Sequence, residues 1–180
     1  MGYKYDRDEI LAAAVEAVRD DGLSQLTFGR LAKRIGINDR SIVYYFPTKA
    51  DLISGTIAAI GAGLQDVLAE AFGDEPLPAD ELMRRAWPSM ADDANLHVFR
   101  AFFELVGLSG AGIEPFATLA PMVITAWADW VEQRVVPGPG VSARDETYRV
   151  LAVLDGLLIV RLQLGREAAE GAATAAGVLR

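Results

Sequence analysis

The sequence predicts an all-α chain: an N-terminal three-helix head containing a helix-turn-helix, followed by a larger helical domain. The boundary is expected near residue 50, giving a head over 1–50 and a rear domain over 51–180. Three observations lead there. Apolar residues recur at helical spacing along most of the 180 residues, and no stretch alternates convincingly as a strand. The periodic runs are separated by caps and stops, such as Gly22, Gly36, Pro47, the GDEPLP loop and the PGPG run. The stretch TFGRLAKRIGINDRSIVYYFPTK, from Thr27 to Lys49, reads as two short helices across a three-residue corner.

The first helix starts near Asp6 or Asp8 and runs to Asp21, with Ile10, Leu11, Ala14, Val15 and Val18 forming one apolar stripe. Thr27 is an N-cap, since its hydroxyl can accept from a free N–H at a helix start. Leu31, Ala32 and Ile35 follow at helical spacing, and Gly36 supplies the left-handed residue that ends the helix. Asn38 caps a second short helix running through Ile42 and Val43 to Phe46, and Pro47 stops it. Thr48, with Asp51 three residues on, opens a long helix to about Phe72. Its glycines, Gly55, Gly61 and Gly63, call for close packing or bending.

Behind it, Asp80 is expected to cap a helix broken by Pro88. Asp92 or Asp93 opens the next, ended by SGAG. A helix from Glu114-Pro115 should kink or restart at Pro121. Ser142 with Asp145 opens a helix over about 143–164, Gly165 closes it, and the Ala-rich tail forms one weak helix.

Composition narrows the chemistry. The chain has no cysteine and one histidine, which leaves no thiolate site and too little imidazole for most zinc sites. There is no glycine-rich phosphate loop followed by lysine and no nucleophile elbow, so an enzyme is not expected, and neither is a cofactor. No signal peptide or membrane span is expected, which points to the cytoplasm. The hydrophobic share of 52% slightly exceeds the usual one, as an oligomer interface or a ligand cavity would require.

Charge is unevenly divided. The chain carries −8, yet residues 1–50 are +1 and the remainder −9. From Ser24 to Ala50, Arg30, Lys33, Arg34, Arg40 and Lys49 face only Asp39, a local +4 that suits a polyanion. In a helix-turn-helix the second helix enters the major groove and presents its N-terminal residues to base edges. Here these are Asn38, Asp39, Arg40 and Ser41. Tyr44 and Tyr45 carry hydroxyls toward phosphates, and Lys49 stands at the mouth of the next helix. Arg40 suits either bidentate contact with guanine or a phosphate. Asp39 can accept from a cytosine amino group, hold Arg40, or help to cap the helix. Tyr3, Lys4 and Arg7 either touch the DNA backbone or belong to a solvated terminus.

The run LTFGRLAKRIGINDRSIVYYFPTKADLI, 28 residues, resembles the DNA-binding region of the TetR family of transcriptional regulators. The shared features are a Thr-started helix, Leu-Ala, Gly-Ile, a helix ending in aromatic-Phe, and a Lys opening the fourth helix. Two positions depart from the family pattern. Val43 stands where an aromatic often meets the DNA backbone, and Gly29 leaves bare a position that faces DNA, so that contact passes to Arg30 or is lost. The resemblance implies DNA contacts from Thr27, Arg30, Asn38, Asp39, Arg40, Ser41, Tyr44, Tyr45 and Lys49.

The helix from about Ala143 is apolar on nearly every face across Val150–Val160 and so must be buried all round. That is met by self-association through Val150, Leu154, Gly156, Leu157 and Val160, or by a central position in a monomer's core. A two-fold dimer would set two recognition helices about 34 Å apart and read a palindrome. Trp87, Met90, Phe99, Phe102, Phe103, Met122, Trp127 and Trp130 are either core or the lining of an effector cavity, which the resemblance implies. Arg100 and Glu104 form a solvated helix pair or a polar handle in that cavity. The resemblance therefore implies a repressor that binds a palindromic double-stranded operator as a homodimer and is released by a small apolar effector. The alternative is a helical small-molecule-binding or scaffolding dimer with a vestigial head.

Overall fold

A computed structural model of the chain describes residues 5–73 and 75–179. Tyr3 and Lys4 lie outside the described residues. The helices are α1 (Arg7–Asp21), α2 (Phe28–Ile35), α3 (Asp39–Tyr45), α4 (Lys49–Phe72), α5 (Ala79–Ala91), α6 (Leu96–Gly110), α7 (Phe116–Glu132), α8 (Ala143–Leu164) and α9 (Arg166–Ala175). The all-α expectation is met apart from two short strands, β1 (Leu77–Pro78) and β2 (Val135–Val136), paired in parallel with Leu77 opposite Val135. Two residues per strand are too few to show an alternating pattern in the sequence.

Packing divides the chain into two compact units. One comprises Met1–Leu64 with Arg100–Ala120, the other Gln65–Phe99 with Pro121–Arg180. The head is thus packed with the first turns of α4 and with most of α6, well past residue 50.

In the first unit each helix starts where a side chain can replace a missing backbone partner. Asp6 and Glu9 close a reciprocal capping box on α1, both bonds 2.8 Å. Thr27 Oγ1 accepts from Arg30 N at 3.3 Å, and Asn38 Oδ1 from Arg40 N at 2.9 Å. Gly36 sits at φ 70°, ψ 37°, the left-handed conformation that favours glycine. Thr48 and Asp51 cap α4 reciprocally. Ile10, Ala14, Leu23, Leu31, Ile42, Phe46, Leu52 and Ile53 are all buried. A Cβ on Gly55 would stand 3.2 Å from both Leu11 Cδ2 and Phe46 Cε1, so this glycine answers to close packing. Gly63 has open space around it and no such reason.

Beyond α4, expectations at three residues are corrected. α5 starts at Ala79, after Pro78 and without a side-chain cap, so Asp80 lies inside its first turn; Pro88 does not break it. α7 likewise runs through Pro121 without restarting. Each proline removes one backbone bond. Burial of Trp87, Met90 and Ala91 around the first, and of Leu119, Ala120 and Ala128 around the second, outweighs that loss. α8 is capped by Ser142, which accepts from Asp145 N at 3.0 Å, and Gly165 ends it at φ 93°. α9 packs on α8 through Ala169 and Ala173.

One further expectation changes. By length and composition α4 is apolar enough to cross a membrane, contrary to the expectation of no span. The first turns of this helix are built into the head through buried Leu52, Ile53 and Thr56.

Candidate nucleic-acid interface

The recognition helix α3 is held by very little of itself. Ile42 is its one buried residue, and Phe46 anchors its end. The remaining side chains are left to the outside: Asn38, Asp39 and Arg40 are exposed, Ser41 is half-buried, and Tyr44 is 65% exposed. This follows from the sequence, since a seven-residue helix makes only two turns and one apolar position per turn suffices to fix it. The Tyr44 and Tyr45 rings meet edge to face at 5.0 Å, which fixes their common orientation.

The five cations of the motif are not equivalent. Arg34 bonds Asp20 of α1 and Arg30 bonds Gln25, both as close contacts. The bond to Asp20 raises the Arg34 pKa. Lys33, Arg40 and Lys49 are exposed and make no side-chain hydrogen bond or ion pair among the described residues. Asp39 makes no pair with Arg40, and Asn38 rather than Asp39 supplies the capping bond. Arg7 lies over the Phe46 ring at 5.3 Å, where it covers the end of α3. Gly29 and Val43 are both exposed on the surface of the motif.

A residue far along the chain from the motif completes the head. Glu104 of α6 makes no pair with Arg100 among the described residues. Its Oε2 accepts from Leu23 N at 2.7 Å and its Oε1 from Ser24 N at 2.8 Å. It therefore brackets the turn between α1 and α2 from 80 residues away, satisfying two N–H groups with one carboxylate. Gly22 sits against it: a Cβ there would be 3.0 Å from Glu104 Oε2, and φ is 88°.

Residues 10–55 match the family model "Bacterial regulatory proteins, tetR family". Over these residues the chain is similar to TetR-family regulators. The matched stretch contains the helix-turn-helix formed by α2 and α3. Among proteins of similar sequence are the nucleoid occlusion factors SlmA of Vibrio cholerae, 33% identical over 70 residues, and of Aliivibrio fischeri, 36% identical over 70 residues. These matches cover 38% of this chain and 36% of each relative, so the chain spans about a third of the length of the curated relatives it matches. Solved structures extend the likeness in fold. A transcriptional regulator of Rhodococcus sp. superposes with a TM-score of 0.74 at 16% identity over 97% of this chain and 94% of that one. A TetR transcription regulator of Haloarcula marismortui gives 0.69 at 21% identity, over 94% and 93%. The multidrug binding protein EbrR, complexed with imidazole, gives 0.67 at 22% identity, over 97% and 89%.

The rear aromatics do not form one group. Trp87, Met90 and Phe99 are buried in the second unit. Trp127 meets Trp130 edge on at 5.5 Å, and Trp130 is further packed by Phe72 at 5.7 Å and by the Arg134 guanidinium at 4.0 Å. Met122 is 62% exposed. Phe102 and Phe103 form a tilted pair at 5.4 Å within the first unit. His97 turns back on its own chain, its Nδ1 2.7 Å from Ala94 O.

α8 is buried on one side only. Val150, Leu154 and Leu157, expected at a dimer interface, are sealed inside the chain itself, because α5 and α9 pack on that face. Gly156 is exposed and Val160 half-buried. The open stripe lies one step round the helix: Tyr148, Ala152, Gly156 and Ile159, with Tyr148 and Ile159 about half exposed. Asp155 borders it. It is half-buried, bonds to nothing among the described residues, and desolvation pushes its carboxyl up to about 6. Among the described residues no group of three His, Cys, Asp or Glu is arranged to hold a metal.

Proposed function

We propose that the chain is a ligand-responsive repressor that binds a palindromic operator as a homodimer and leaves it when a small molecule binds the rear domain. DNA contact is assigned to residues 1–50, and effector binding and self-association to residues 51–180. The observation that carries the reading is α3: anchored by Ile42 and Phe46, it offers Asn38, Arg40, Ser41 and Tyr44 outward, flanked by Lys33 and Lys49. Self-association is assigned to the open stripe of α8, where apolar Tyr148 and Ile159 flank a glycine that lets two backbones approach. Release then follows if the effector favours a state in which the two heads no longer match successive grooves. Such a protein works in the cytoplasm, beside the DNA, and has no catalytic role.

The test is enrichment of genome fragments on the purified protein, followed by sequencing. A palindrome beside promoters is the expected outcome. Arg40→Ala should cost about 1–3 kcal/mol of operator affinity if the guanidinium reads a base, and Tyr44→Phe less, as one phosphate contact is lost. Operator affinity unchanged in both variants would sink the reading.

The similarity to proteins named nucleoid occlusion factors favours a second reading, in which the head serves nucleoid occlusion and not promoter control. The same experiment separates the two by where the enriched sites fall. No enrichment at all would favour a helical scaffolding or ligand-binding dimer whose head has stopped reading DNA.

A further inference from the structure

The second unit contains a cavity of about 200 Å³ whose walls share only Trp87 with the aromatic set discussed above. Trp87, Pro88 and Ala91 of α5 and Ala169 of α9 give it an apolar side. Arg161, near the end of α8, and Arg166 and Glu170 of α9 give it a charged one. The Arg161 side chain is only 9% exposed. A guanidinium that far out of water must be paired. Its Nε donates to Ala91 O at 3.1 Å, and its Nη2 to Asp93 Oδ1. The other oxygen, Asp93 Oδ2, accepts from Arg166 Nη2 at 3.3 Å.

The pairing is lopsided. A buried cation is neutralised by a carboxylate that is itself 76% exposed, on the turn between α5 and α6. The two arginines hold the Asp93 carboxyl below the usual carboxylate range, Arg161 by the larger amount. Asp93 thus bridges two guanidinium groups, one oxygen to each, as a small organic acid would. We infer that this cavity is a binding site for a small monocarboxylate with an apolar, ring-sized body. The carboxylate replaces Asp93 on Arg161 and Arg166, and the body lies against Trp87, Pro88 and Ala169. Asp93 swings out to solvent, where it is already mostly exposed.

Size and charge set the class. A cavity of about 150 Å³ holds benzene, so 200 Å³ admits a ring with one substituent and excludes most drug-sized molecules. With Asp93 displaced, two arginines face Glu170, which leaves one positive charge and favours a monoanion over a phosphate dianion. As a ligand site it stands apart from the DNA reading. Only its coupling to operator release rests on that reading, and the two are measured separately.

The experiment is a calorimetric titration of the full chain with sodium benzoate at constant ionic strength, against neutral benzamide. Saturable binding of benzoate with a dissociation constant of about 1 mM or tighter is expected, with benzamide at least about tenfold weaker. Asp93→Asn, which removes the competing charge, should tighten benzoate several-fold. Arg166→Ala, at a half-exposed position, should keep the helical circular dichroism spectrum and weaken benzoate about tenfold. Equal binding of the two probes, no saturation by about 20 mM benzoate, or unchanged affinity in a folded Arg166→Ala protein would each overturn the proposal. If benzoate binds as expected but leaves operator affinity unchanged, the site stands and its role in release falls.

Discussion

Glu104 and Asp155 are both carboxylates drawn out of water, and the chain treats them in opposite ways. Glu104 receives two backbone N–H groups from the α1–α2 turn, at 2.7 and 2.8 Å. Asp155 receives none from the described residues, and its carboxyl is pushed up to about 6. The first carboxylate is used up by the fold, and the charge is what makes the bracket strong. The second is left over by it. A group left over beside an open apolar stripe answers to whatever covers that stripe, whereas a group used up within the head answers to the position of the head.

The sharpest way to break the contrast is Glu104→Ala. Two partly buried N–H groups lose their acceptor, so stability should fall by about 2–4 kcal/mol in urea denaturation, with Glu104→Gln roughly halfway. If both variants match the parent, the bracket is incidental. Next is Gly22→Ala, which forces a Cβ to 3.0 Å from Glu104 at a left-handed φ. A loss of about 1–2 kcal/mol is expected, and in the Glu104→Ala background part of it should disappear, since the crowding oxygen is gone.

Asp155 should behave the other way. Its pKa rises from 3.8 unfolded to about 6 folded, so the folded chain holds a proton that the unfolded chain has released. Its contribution to stability is therefore greatest below about pH 4 and is lost as pH rises through about 6. Asp155→Asn should flatten that part of the stability–pH curve and raise stability at pH 8 by about 1–2 kcal/mol. A fall at pH 8 would instead reveal a donor supplied from outside the chain. The smallest effect on the fold itself is expected from Ile159→Lys, about 0.5 kcal/mol or less at a half-exposed position. Light scattering should nonetheless report a monomer, and a persisting dimer would move the interface off this stripe.

What could be read beforehand follows the range of each interaction. Thr27, Asn38, Ser142 and Gly36 act within four residues of themselves, so the sequence already displays the caps of α2, α3 and α8 and the sharp end of α2. Glu104 and its partners are 80 and 81 residues apart, and local spacing suggested only Arg100. Pro88 reads as a break and Pro121 as a kink or restart because the cost of a proline is local, while the burial that overrides it is not. On α8 nearly every position is apolar, so periodicity is silent about which side faces inward. Only α5 and α9 decide that Val150, Leu154 and Leu157 are inside. For the same reason Arg161 gave no sign in the sequence that it would be buried beside a cavity.

The tethering of Arg34 to Asp20 and of Arg30 to Gln25 has a consequence for counterions. A duplex sheds condensed cations in proportion to the phosphates a protein neutralises, with a slope of about −0.9 per contact in log affinity against log salt. If those two arginines keep their partners on DNA, each chain contributes Lys33, Arg40 and Lys49, and two chains give a slope of roughly −5. If both let go, the slope approaches roughly −9. The ion release measured on an operator would thus count how many arginines exchange an internal partner for a phosphate when the head docks.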